Sequence, residues 1–166
     1  LLELGAGNWE AARELLTRAA EGHRELTQED GEAGCWAYCS LAEMRLGLSD
    51  EARRHLQAAK EVFERGKYPF FMPRYLLIRC EVESPADTFA ADAAFAELQR
   101  EGRGAELVMW APLITKHCAS DSQIEVRRAI LEAIRKAADS FESSALRKEF
   151  LAHPRTRIAL LAVQGV

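Results

Sequence analysis

Apolar residues recur along the chain in short ladders. Ala52, Leu56 and Ala59 follow Trp36 by sixteen, twenty and twenty-three positions, and their mutual i, i+4, i+7 spacing marks one buried face of a helix. The same order returns thirty-nine residues on as Tyr75, Ala91, Phe95 and Leu98, and thirty-five beyond that as Trp110, Val126, Ile130 and Ala133. Forty residues before the Ala52 set stand Ala12, Leu16 and Ala19, with Gly7 falling on Gly47. Four copies of a helix pair of about 35 to 40 residues therefore fit the chain, the period range of helical-repeat arrays.

Helix breakers punctuate these ladders. Asn8 is a good N-cap for a helix over 9–26, and Thr27 to Gly34 reads as a polar turn before a helix over 33–46. Gly47 ends that helix, and Ser49 or Asp50 starts one running to about Arg65, which Gly66-Lys67-Tyr68-Pro69 stops. Helices are expected over 70–82, 88–101 and 123–140, with a turn at Glu83 to Asp87. A further segment over 105–118 contains Pro112, whose cost of about 3 kcal/mol inside a helix predicts a start near Ala111 instead. The tail reads as two short helices, one capped by Ser143 or Ser144, the other opening at Pro154. Its Leu146, Phe150, Leu151, Ile158, Leu160 and Leu161 are expected to seal the end of the array.

An aromatic residue, then Ala-x-x-x-large apolar, then a small residue resembles the tetratricopeptide repeat. The matching positions are Trp36, Cys39, Ser40, Glu43, Ala52 and Leu56, then Tyr75, Ile78, Arg79, Val82, Ala91 and Phe95, then Trp110, Leu113, Ile114, His117, Val126 and Ile130. Only Ser40 keeps the small residue of the pattern at its position, and no copy carries the closing proline. The resemblance implies an all-α fold, a right-handed array of antiparallel helix hairpins over 1–140, closed by capping helices over 141–166. The tail is also similar to the C-terminal ends of repeat regions in large bacterial regulators carrying an ATPase, kinase or cyclase module. The opening LLELG reads as the last turn of a helix entered from further upstream, so the chain is expected to be a fragment of such a protein.

Composition narrows the function classes. With 48% apolar and 29% charged residues, the chain has the mixture of a folded protein. Its 22 basic and 26 acidic residues are interspersed, leaving no field that would gather nucleic acid. The longest apolar runs fall far short of the roughly 20 residues a membrane span needs, so no membrane partner is expected. The four cysteines lie inside helical patterns, which suits a reducing cytoplasm.

Candidate chemistry is sparse. Cys35 and Cys39 are one helical turn apart and His117 adjoins Cys118, but zinc sites use about four convergent ligands at characteristic spacing. His23, His55 and His153 are isolated in the sequence, and Gly5 to Asn8 lacks the pattern of a phosphate-binding loop. No cofactor, metal or catalytic residue is expected. By the resemblance, the first helix of each pair lines a groove that takes a peptide or partner protein. Tyr38, Arg45, Arg74, Arg79 and Lys116 lie on those helices, and Arg and Tyr are enriched at binding hot spots. The chain is thus expected to be a non-catalytic interaction scaffold. Three alternatives stand beside this reading: a small-molecule sensor with a pocket at Tyr68 to Tyr75, an enzyme of helical fold that would gather His117, Cys118 and a carboxylate in one cleft, and a self-association module forming a homo-oligomer.

Overall fold

The computed structural model describes residues 7–66, 68–83 and 88–164. The expected opening turn over 1–5 and most of the turn before residue 88 lie outside them. The described residues are all-α, with nine helices and no strand among them. The chain divides into two compact units, Leu1–Pro85 and Ala86–Val166.

The first unit holds α1 (Trp9–Glu25), α2 (Glu29–Arg45), α3 (Ser49–Arg65) and α4 (Met72–Val82). Helix α2 packs against α1, α3 and α4, and α4 also touches α3. This position explains the composition of α2: residues 33 and 34 and every residue from Ala37 to Glu43 are buried, as a helix surrounded on several sides requires. By contrast, α3 is amphipathic and buries a single stripe, Ala52, Leu56, Ala59 and Phe63. Gly34 lets the chain come close, since a Cβ there would stand 3.0 Å from the Phe71 ring.

The second unit holds α5 (Thr88–Arg100), α6 (Gly104–His117), α7 (Gln123–Asp139), α8 (Ser144–Ala152) and α9 (Pro154–Gln164). Here α6 takes the central place, packed by α5, α7 and α9, while α9 also touches α7 and α8. The arrangement of α9 on α6 and α7 repeats that of α4 on α2 and α3. The sequences agree: Pro73-Arg74 opens α4 and Pro154-Arg155 opens α9. Tyr75, Ile78 and Val82 are buried at the same offsets from the proline as Thr156, Ala159 and Val163.

Three turns share one hydrogen-bonding device. After α1, α2 and α5, a residue in the left-handed region (Thr27 φ 54°, Gly47 φ 78°, Gly102 φ 66°) reverses the chain. The next amide then donates back into the helix, Gln28 to His23 O, Leu48 to Glu43 O and Arg103 to Leu98 O, each at 2.9 Å. These are Schellman caps, which satisfy carbonyls the helix end would leave open. They also let the next helix begin at once. Helix α2 therefore starts at Glu29, four residues before the expected Ala33, with Glu29, Asp30 and Glu32 in its first turn where the helix dipole favours acids.

Other departures have physical reasons. Helix α6 runs unbroken from Gly104 with Pro112 inside it, not from Ala111. Burial of Leu107, Val108, Trp110, Leu113 and Ile114, at about 1.5 to 3 kcal/mol for each large apolar side chain, outweighs the proline's cost. On α1 the inward row is Ala12, Leu16 and Ala20, while Ala19 is exposed. The tail turns small residues inward: Leu146, Leu151, Ile158 and Leu161 are all at least a third exposed, and Ala159 is fully buried. Ser143 caps α8, its hydroxyl accepting from the Leu146 amide at 3.5 Å.

Candidate functional site

Inside the first unit, three helices bring polar side chains together at a place their apolar ladders would leave dry. Helix α2 carries Cys39 and Glu43 one turn apart, so both point to one side. Helix α3 carries His55 beside the fully buried Leu56. Helix α1 contributes Arg13 and Thr17, again one turn apart.

Glu43 is the hub, with no solvent exposure. Its Oε1 accepts from Arg13 Nε at 3.0 Å, and its Oε2 lies 2.7 Å from His55 Nδ1. The imidazole is held flat by Trp36, whose ring stacks on it at 4.4 Å with an interplanar angle of 15°. Trp36 is fixed in turn by donating Nε1 to Glu32 Oε1 at 3.1 Å. Thr17 Oγ1 is 3.8 Å from Cys39 Sγ. Burial, and secondarily the Glu43 carboxylate, pushes the Cys39 thiol up to about 11. A thiol so held is protonated near neutral pH, the opposite of an activated nucleophile. The donor atoms of Cys39, Glu43 and His55 all lie within 4.8 Å of one another. The arrangement can fasten three helices through one buried carboxylate, and it offers sulfur, oxygen and nitrogen donors to a cation.

Two more ionisable groups are buried. Glu81 on α4 is 5% exposed and meets Arg45 of α2, Nη2 to Oε1, at 2.9 Å. In α6, His117 is buried seven residues after Trp110, as Glu43 is seven after Trp36.

The residues expected to line a groove take varied positions. The Tyr38 ring is in the interior, 6% exposed, so it offers no surface. Arg45 leans on Glu81, and the half-buried Arg74 lies over Phe70 at 4.3 Å and Phe71 at 5.4 Å. Arg79 is half-buried on α4, and Lys116 is exposed on α6. The structure thus gathers Arg45, Arg74 and Arg79 on two helices in mutual contact, α2 and α4. The aromatic cluster packs on itself: Phe63 lies 6.1 Å from Tyr68, 6.0 Å from Phe71 and 5.2 Å from Tyr75.

His55, isolated in the sequence, is engaged by Glu43 at the ring's edge and by Trp36 on one face. The available signal was a carboxylate at a repeat landmark, Glu43, where a core residue belongs. No helix among the described residues is long and apolar enough to cross a membrane. No protein-family model, curated protein or solved structure matches the chain.

Proposed function

We propose that this chain is a non-catalytic interaction module of the tetratricopeptide-like kind, whose first unit offers helix α4 and the end of α2 to an acidic peptide or partner protein. The observation that carries this reading is the repeated packing: α2 among α1, α3 and α4, and α6 among α5, α7 and α9. A chain that repeats one packing unit exposes long helix faces instead of enclosing one reaction chamber. The basic side chains there, Arg45, Arg74 and Arg79, favour carboxylates, because a guanidinium pairs with them through two parallel donors. A cytoplasmic setting, within a larger bacterial regulator, belongs to the same proposal.

The test is a peptide-library selection on the whole chain, repeated with an Arg74→Glu, Arg79→Glu double variant whose thermal unfolding is checked first. Enrichment of Asp- and Glu-rich peptides, with binding reduced at least about tenfold in the variant, is the expected result. Selection without acidic enrichment, or equal binding by the variant, would remove the proposal.

A further inference from the structure

We propose that Cys39, Glu43 and His55 form a binding site for one thiophilic divalent cation, zinc being the best fit. Thiolate, carboxylate and imidazole are the three side-chain donors zinc takes, and three protein ligands with a fourth open position is a recognised zinc arrangement. The donor atoms already converge within 4.8 Å, delivered by two helices that pack together along their length.

The geometry needs little change. Zinc bonds to nitrogen and oxygen of about 2.0 to 2.2 Å in a tetrahedral site set the two donors about 3.3 Å apart. His55 Nδ1 and Glu43 Oε2 stand at 2.7 Å, so the pair opens by about 0.6 Å while the Cys39 sulfur, within 4.8 Å of both, draws in. The metal takes the place of the hydrogen between them. That hydrogen moves to Nε2 as the ring changes tautomer, and the Cys39 thiol releases its proton to solvent as the sulfur–metal bond forms. Two anionic ligands then neutralise the dication in the interior.

Outer contacts already aim the ligands. Trp36 fixes the His55 ring plane, and Arg13 holds Glu43 through Oε1, leaving Oε2 for the metal. Such partners orient metal ligands in known sites. Arg13 also places a positive charge beside the site and so weakens it. Its side chain is 44% exposed and can swing into water. The metal would clip α2 to α3 with Arg13 as the restraining charge.

The experiment is a cobalt(II) titration of the reduced full chain, followed by displacement with zinc. Expected are one cobalt per chain, a thiolate-to-cobalt charge-transfer band, and loss of that band in Cys39→Ser and His55→Gln. Arg13→Gln is expected to tighten cobalt several-fold, an effect that adventitious binding at Cys35, Cys80 or Cys118 would not show. No charge-transfer band in the wild type, or an unchanged band in a folded Cys39→Ser, overturns the site. Should Cys39→Ser not fold by circular dichroism, the Arg13→Gln titration decides: tighter binding supports the site, equal or weaker binding overturns it.

Discussion

Glu43 Oε2 and His55 Nδ1 meet at 2.7 Å across two helices joined by a three-residue turn, with the carboxylate wholly shielded from water. A buried carboxylate is costly to desolvate, so its worth lies in the partners it keeps. Removing it leaves Arg13 and His55 facing a void. Arg13 can recover water because it is partly exposed, which lowers the penalty from the 3 to 5 kcal/mol typical of broken buried pairs. Glu43→Ala is expected to lose about 2 to 4 kcal/mol in urea unfolding, and Glu43→Leu, which refills the volume, distinctly less. Equal losses in the two variants would show that the carboxylate and its partners, not the volume it fills, hold the three helices.

Thr27 occupies a place where the two matching turns use glycine. A β-branched residue at φ 54° carries strain that Gly47 and Gly102 avoid. Its hydroxyl donates to Leu26 O at 2.7 Å, which offsets part of that strain. Thr27→Gly should therefore stabilise the chain by roughly 0.5 to 1 kcal/mol, and Gly47→Ala should destabilise it by about as much. Thermal melts of both variants check this, with shifts of about 2 to 4 °C per kcal/mol and opposite signs. A lower melting temperature for Thr27→Gly would mean that the hydroxyl outweighs the backbone strain.

These two sites show what could be read from the residues and what could not. Gly47 and Gly102 announce helix ends because few other residues accept the left-handed region, whereas Thr27 hides the same turn and made it look eight residues long. The ladders of α3 and α5 were legible because each buries one stripe, and that of α7 in part: Val126 and Ile130 are buried, but the row continues to Ile134 while the expected Ala133 is half-buried. The last helix was not, because α9 keeps the offsets of α4 while replacing Tyr75 by Thr156 and Ile78 by Ala159. Size was lost where position was kept, and the larger Ile158 and Leu161 drew attention to the outer face. The Cys39, Glu43 and His55 cluster had no linear motif, since His55 comes from a facing helix and sits among Arg53, Arg54 and Gln57. Only packing reveals it.

Pro112 offers a test of how far tertiary burial overrides local preference. Its ring removes one amide donor from the middle of α6 and crowds the preceding turn. Pro112→Ala restores both, at the expense of a more flexible unfolded chain worth about 0.4 to 1 kcal/mol. A net gain of about 1 to 2 kcal/mol in urea unfolding is expected. A loss would mean that a proline-induced bend in α6 is what brings Trp110 and Ile114 into the second core.

Alkaline pH should loosen the first unit. Burial raises the Cys39 thiol from 9.0 to about 11 and the Tyr75 phenol from 10.0 to about 12. Both groups therefore keep their protons in the folded chain at pH values where the unfolded chain has lost them. The unfolded state binds fewer protons there, so stability falls as pH rises. The contribution is complete below about pH 9 and is lost progressively up to about pH 12. Urea midpoints measured across that interval should decline, and Tyr75→Phe should flatten the part of the decline above about pH 10, because it removes the higher of the two titrations while keeping the ring packed on Phe63. A Tyr75→Phe curve parallel to wild type would mean that the phenol titrates in the folded chain as freely as in the unfolded one.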